Sequence, residues 1–405
     1  MSTRQIAVVG HCCLDLIPTF GSTTGATEAL LLPGKLVHVG PAHFATGGPV
    51  SNVGLTLHRL GVPPLLLGKV GDDQFGRVLL DLYRSYDPLL AAGMIVASGE
   101  PTSYSVVINP PGVDRMFLHC PGANDTFGAD DLAGVSLESV RILHFGYPPL
   151  MRRIYANDGR ELVALLERIR AQGITTSLDM ARPDPDSEAG KVNWRVFLQR
   201  VLPLVDVFLP SFEELLYMLD RSQFEHLHAL RREGDLSVLA DSALLNLLAE
   251  WCLEAGAAMV VLKLGEQGLY LRTSRAKDRL AQAGNGMPDD LDAWRGRELL
   301  APCFQANVAG TTGAGDATIA GFLTGLLNSQ SPEETMTTAV AVGASSVEAL
   351  DASSGVPSLA LVQERVVAGW KRCPVAISLP GWRWDTAAGL WYGPGDQAAI
   401  QDTSR

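Results

Sequence analysis

Short continuous apolar runs alternate with amphipathic ones along most of the chain. "IAVVG", residues 6–10, is apolar throughout and closes on a glycine, the pattern of a strand buried on both faces. In "GGPVSNVGLTLHRLG", residues 47–61, Val53, Leu57 and Leu60 recur at helical spacing after a glycine-rich turn, and Gly61 ends the pattern. "PLLLGKVG" predicts another buried strand, and "DQFGRVLLDLYRSY", residues 73–86, another amphipathic helix. "VRILHFG", "ITTSLDM" and "VDVFLP" then predict strands, "DGRELVALLERIRAQG" and "SFEELLYML" helices, and "AAMVVLKLGEQGLYLRT" a strand, a turn and a strand. Such alternation predicts an α/β fold: a mostly parallel sheet with helices on its faces.

Three stretches break the pattern. Residues 102–120 hold two β-type runs around "PPGV" and predict an antiparallel hairpin off the main sheet, suited to a lid or a dimer contact. Residues 274–298 are polar and rich in turn formers, which predicts an inserted surface loop. From about residue 371 the tail sets Trp382, Trp384 and Trp391 among Pro and Gly, and is expected to pack on the domain or on a neighbouring subunit. The organisation expected is one domain over residues 1–370, with a lid from about 15–46 and 101–122, and an extension over 371–405 without an assigned role.

Composition narrows the partners. The 405 residues are 47% hydrophobic and 19% charged, enough for a large core, and the net charge of -12 argues against nucleic-acid or anionic-membrane binding. Any phosphorylated ligand must then be met by local positive potential. The six cysteines form no C-x-x-C pair, and the N-terminus reads as a strand rather than a signal peptide, so a reducing, cytoplasmic setting is expected.

The chemistry concentrates in "AGTTGAGDATIAGF", residues 309–322. Ile319, Phe322, Leu323, Leu326 and Leu327 mark a helical stripe, so a helix starts near 314–316. Its first amides lack intrahelical partners and face forward with the positive end of the helix dipole. Gly313, Ala314 and Gly315 therefore form an anion pocket suited to a phosphoryl group in transfer. Asp316 at that helix start is expected to stay ionised, ready to take a proton from an attacking hydroxyl. The stretch is not a Walker A loop, because no Lys follows the glycines.

Together with "GGPVSNVGLTLHRLGVPPLLLGKVGDDQFG" and "CPGAND", this stretch resembles the two signatures and the Gly-Ala-Asn turn of the ribokinase-like, or PfkB, carbohydrate kinases, over roughly residues 5–360. The resemblance implies a three-layer α/β sandwich with a small β lid. It implies ATP-dependent phosphorylation of a sugar or sugar-acid hydroxyl with Mg²⁺. Asp316 then matches the catalytic base and Gly313, Ala314 and Gly315 the anion hole, while Asp15, Gly48 and Asn52 match positions that bind substrate hydroxyls. "LPSFEELL" resembles the Asn-x-x-Glu segment that helps place Mg²⁺ and phosphates. Glu214 matches its Glu, and Ser211 stands where Asn is usual. Ser211 and Glu214 also have capping-box spacing at a helix start. In "KLGEQG", Lys263 and Gly265 match positions near the nucleotide phosphates. Gly310 replaces the Asp that helps build a monovalent-cation site in many relatives, so potassium activation is not carried over. Arg182 in "LDMARPD", and more weakly Arg115 on the hairpin, are candidates for a substrate carboxylate or phosphate. A nucleoside acceptor, and a sugar- or nucleotide-binding regulator without turnover, stay open at this point. A homodimer through the lid is also expected.

Overall fold

In the computed structural model, residues 5–21, 32–110, 116–231 and 236–397 are described. Strand Ile6–Gly10 has no exposed residue, and its side chains alternate between two cores. Ala7 and Val9 join Leu162, Leu165, Phe197, Leu215 and Leu245 on one face. Ile6 and Val8 join Val53, Leu57, Leu79, Phe322 and Val340 on the other. Helices Arg152–Arg170, Trp194–Val201, Phe212–Leu219 and Ser242–Glu254 supply the first core. Helices Pro49–Arg59, Gln74–Tyr86, Ala314–Leu327 and Pro332–Ser346 supply the second. The period-2 alternation of a strand is what lets one sheet serve two helical layers.

From one edge, the sheet runs Pro64–Leu67, Ile6–Gly10, Ile142–Gly146, Thr175–Leu178, Val207–Phe208 and Met259–Lys263, every pairing parallel. Leu269–Thr273, Glu298–Ala301, Leu390–Tyr392 and Arg383–Asp385 continue it antiparallel. The tryptophan-bearing tail thus adds two strands to the sheet of its own chain, with Trp384 packed edge-on against Trp391.

A second sheet orders Ala42–Gly47, Cys13–Pro18, Tyr104–Ile108 and Met116–Cys120. Its last two strands are the predicted hairpin. Phe44, Phe117 and Leu118 on this sheet are exposed. Asp73 of the "VGDDQFG" run fixes its root: the carboxylate caps helix Gln74–Tyr86 through the Gly76 amide (2.8 Å) and accepts from the Thr102 amide (2.8 Å) and hydroxyl (2.6 Å). Arg115 lies outside the described residues.

Three expectations needed correction. "PLLLGKVG" is two strands, Pro64–Leu67 and Lys69–Gly71, and the second pairs with Ile95–Ala97 instead of the main sheet. A side chain at the intervening Gly68 would stand 2.7 Å from Cys12 Sγ, so glycine lets the two strands part there without displacing that thiol. The helix predicted from Asp158 starts only after Gly159, because Ala156–Gly159 is non-helical, with φ 52° at both Asn157 and Asp158. Residues 274–298 are no surface loop: Leu280, Ala283 and Trp294 are buried, and Trp294 packs edge-on against Phe322. The polar composition hid this, because two of the charged residues, Arg297 and Glu298, are buried rather than solvated. The Arg297 guanidinium is buried with Asp396 (2.9 Å) and Glu333. No described helix is long and apolar enough to cross a membrane.

Candidate active site

Open parallel sheets leave a crevice beyond the carboxyl ends of their strands, where loops and helix starts meet. Here that edge gathers His11, Tyr147, Asp179, Ser211 and Lys263, each within three residues of the end of its strand. Helix Ala314–Leu327 begins against this row. Its N-cap, Gly313, is left-handed (φ 71°), a conformation that costs glycine little. A side chain on Gly315 would lie 3.8 Å from Lys263 Nζ, so the bare backbone and the ammonium face each other.

Asp316 is 2% exposed. Its carboxylate accepts from Asn52 Nδ2 (2.8 Å) and from the Tyr147 hydroxyl (3.1 and 3.2 Å to the two oxygens). Asn52 sits in the first turn of helix Pro49–Arg59, so the two glycine-rich signatures, 264 residues apart, meet in one hydrogen bond. Burial raises the Asp316 pKa above the ordinary carboxylate range, and Asn52, Lys263 and Tyr147 pull it partway back. The helix dipole is the one influence on this group that the sequence shows, and burial acts in the opposite direction.

Behind Asp316 lies a cluster of charges. Lys263 Nζ is 2.6 Å from Asp179 Oδ1, and Asp179 is wholly buried. Its second oxygen, Oδ2, is buried without a hydrogen-bond partner. Burial would lower the Lys263 ammonium, but Asp179, Glu214 and Asp316 together hold it above its usual value. The same burial raises Asp179 and Glu214. Three carboxylates thus share one ammonium, a surplus of negative charge that a cation arriving with a ligand would relieve.

Ser211 and Glu214 do form the predicted capping box: the Ser211 amide donates to Glu214 Oε2 (2.7 Å) and the Glu214 amide to Ser211 Oγ (3.2 Å). Ser211 also bridges to Lys263. Gly265 (φ 53°) opens the turn after Lys263.

The other end of the crevice differs. Gly48 has φ 82° and ψ 165°, a region almost restricted to glycine, and a side chain there would meet His11 Nδ1 at 2.6 Å. Asp15 on the lid reaches Gly47, where an added Cβ would stand 2.6 Å from its Oδ2. Burial pushes the Asp15 pKa up to about 6, against hydrogen bonds from Cys13 and Ser105. His11 Nε2 lies 3.4 Å from Nε2 of His119 on the lid, and His119 Nδ1 is 3.0 Å from Ser105 Oγ. Burial first, and the neighbouring His119 second, lower His11 to about 3, so it is neutral. Asn124 of "CPGAND" holds the segment after His11 through both backbone groups of Cys12.

The structure therefore brings together Asp15, Gly48, Asn52, Ser211, Glu214, Lys263, Gly265 and 313–316. Arg182 stands apart. Its partners among the described residues are Glu213 (3.6 Å) and the Phe224 ring, in a cleft with Tyr217, Arg221 and His228. At Gly310, an added Cβ would come within 3.1 Å of the Ala349 and Leu350 carbonyls, a tight contact that a side chain there could meet only with a small backbone shift. Sequence reasoning missed Tyr147, Asp179, His11 and His119. His11 and Tyr147 carry a positional signal, since each stands just past the end of a predicted parallel strand, whereas Asp179 falls inside the predicted strand "ITTSLDM". His119 is one of several lid residues and carries no such signal.

Comparison with known proteins settles the family. The model of the pfkB family carbohydrate kinases matches residues 3–359. The chain belongs to the pfkB family of carbohydrate kinases. The kinase is 24% identical over 301 residues to an uncharacterized sugar kinase of Archaeoglobus fulgidus, covering 74% of this chain and 98% of that one. Among solved structures it resembles a fructokinase of Xylella fastidiosa with bound ATP (TM-score 0.64, 20% identity, 90% of this chain and 98% of that one). It equally resembles a nucleoside kinase of Burkholderia thailandensis in complex with inosine (TM-score 0.63, 16% identity, 91% and 100%). The fold is that of the ribokinases, and the chain is a carbohydrate kinase of the pfkB family.

Proposed function

We propose that the kinase transfers the γ-phosphoryl group of ATP to a hydroxyl of a sugar or sugar acid, with Asp316 as general base. The observation that carries this is the buried Asp316 carboxylate, hydrogen-bonded by Asn52 and Tyr147 at the start of a helix whose open amides face Lys263. A base whose pKa is raised by burial accepts a proton more readily than an exposed carboxylate, provided it is ionised when the hydroxyl arrives. Asn52 and Tyr147 fix which way its oxygens point. The acceptor lies toward Asp15 and Gly48, and the amides of 313–315 receive the phosphoryl oxygens. Lys263 adds positive charge on the nucleotide side, and Ser211 and Gly265 stand beside it. The lid sheet excludes water, the competing acceptor.

Magnesium fits this donor set. Among the described residues no group of three or more His, Cys, Asp or Glu side chains forms a ready-made metal cage. The surplus carboxylates and the unpartnered Asp179 Oδ2 instead suit a metal that comes in on the phosphates, with Glu214 and Asp179 to hold it. When bound, it would neutralise phosphate charge that Lys263 alone cannot balance.

A nucleoside acceptor is the second reading, favoured by the ring cluster of His11, His119 and Tyr147 beside the substrate groups. Release of ADP with ribose, fructose, ketodeoxygluconate and adenosine tests both. Turnover with a sugar or sugar acid is expected. Turnover with adenosine alone would move the assignment to nucleosides, and tight binding without release would mark a regulator. The exposed Phe44, Phe117 and Leu118 of the lid are read as facing a second copy, and light scattering that shows only monomer would contradict this.

A further inference from the structure

Cys303 and Cys373 lie far apart in sequence and side by side in the fold. Phe304 and Arg372 form an antiparallel bridge, which makes Cys303 and Cys373 the next rung, and the Cys373 amide donates to the Cys303 carbonyl at 2.7 Å. Opposed residues on such a rung have Cα atoms about 5.5 Å apart, within the range a disulfide spans, and their side chains leave the same face. Both thiols are free and partly exposed. Cys373 lines an open cleft with Arg372, Trp384 and Trp391, through which a small molecule can reach it.

The first thiol touches the nucleotide side of the site. Cys303 Sγ lies 3.4 Å from the Gly265 carbonyl and donates its hydrogen there. Gly265 opens the turn after Lys263, whose ammonium sits on Asp179. A change at Cys303 therefore reaches that turn without any large motion. We propose that Cys303 and Cys373 are a disulfide-forming pair whose oxidation weakens nucleotide binding at the Gly265 turn.

The chemistry balances as thiol–disulfide exchange. A low-molecular-weight disulfide such as oxidised glutathione is attacked by one thiolate; its S–S bond breaks and one glutathione leaves. The second cysteine then attacks the mixed disulfide, expels the other glutathione and closes the Cys303–Cys373 bond. The protein loses two protons and two electrons, and the oxidant becomes two thiols. Arg372, beside Cys303, supplies positive charge that attracts this anionic oxidant. Burial first, and the neighbouring Cys373 second, raise the Cys303 thiol to about 12, so exchange is slow at neutral pH and quickens as pH rises. Closing the bond removes the hydrogen that Cys303 gives Gly265. The Gly268 amide still donates to that carbonyl (3.2 Å), so the turn loosens but does not unfold.

The test treats native, reduced protein with oxidised glutathione at about pH 8, where thiolate is more abundant, and then blocks remaining thiols and maps peptides. A Cys303–Cys373 crosslinked peptide is expected in wild type and absent from Cys303→Ser and Cys373→Ser. Calorimetric ATP titration should show Kd rising roughly fivefold on oxidation, the scale of one weak hydrogen bond, with recovery in dithiothreitol and no response in Cys373→Ser. Only glutathione adducts, no linkage, or a different cysteine pairing in folded protein would overturn the proposal, as would the linked peptide with unchanged ATP affinity. The affinity arm rests on reading Gly265 as a nucleotide turn. If reduced protein binds no ATP, that reading and the regulatory half of the proposal fall, and the peptide map alone decides the pairing.

Discussion

The two ends of the crevice are built on different principles. The acceptor end has one carboxylate, Asp15, among largely neutral groups: His11, His119, Ser105 and the bare backbone at Gly48. The phosphoryl end has three carboxylates, Asp179, Glu214 and Asp316, around the single ammonium of Lys263. On the proposed assignment, shape and hydrogen bonding choose the acceptor, and charge governs transfer. On the same assignment, sensitivity to divalent metal belongs to the second end and sensitivity to small changes of backbone shape to the first, while Asp15, its pKa pushed up to about 6, gives the first end a pH response of its own.

The largest effect should come from Asp316→Asn. It keeps the volume and the contact with Tyr147 but cannot take a proton, so kcat should fall by on the order of 10² or more while ATP still binds. Steady-state ADP release and an ATP titration check this together, and near-normal turnover would remove Asp316 from its role.

Lys263→Met comes next. It leaves Asp179 buried and unpaired, which costs about 3–5 kcal/mol of stability. Denaturant unfolding would measure the loss, and Asp179→Asn in the same chain should recover much of it. A single variant as stable as wild type would show that the pair is not buried as described.

At the acceptor end, Gly48→Ala forces a side chain onto φ 82° and toward His11. It should cost roughly 1–3 kcal/mol and raise KM for the acceptor more than for ATP. Equal rises in the two KM values would break the division between the ends.

Tyr147→Phe should have the smallest effect. It removes a donor that favours ionised Asp316, so the pKa rises further and the acid limb of kcat/KM moves to higher pH. Above that limb, turnover should stay near wild type. A limb moving to lower pH would mean that the hydroxyl does not donate to Asp316.

Much of this was legible in the chain, for physical reasons that differ by region. The helix at 314 could be placed because Ile319, Phe322 and Leu326 keep helical spacing and the glycines before it leave amides open. The Ser211–Glu214 and Ser331–Glu334 capping boxes are local chemistry, set by residues three apart. Asp179 was hidden because its partner, Lys263, is 84 residues away. Tyr147 was hidden because its role depends on a left-handed backbone at a strand end (φ 60°), which no periodicity announces. The burial of Asp316 was not legible either: a helix start is visible in sequence, whereas the layers that close over it are not. Residues 274–298 misled because Arg279 pairs with Asp206, Arg297 with Asp396 and Glu333, and Glu298 with Arg272, all distant in sequence.

The most direct test of Asp316 as the base is the pH dependence of kcat/KM in wild type beside the residual activity of Asp316→Asn. Burial should set the wild-type acid limb above the ordinary carboxylate range, with activity lost as pH falls and Asp316 takes up a proton. That limb should be absent from the variant. The same limb in both proteins, persisting when Asp15→Asn is added to each, would show that a third group carries the proton, and would contradict the assignment of Asp316 as the base.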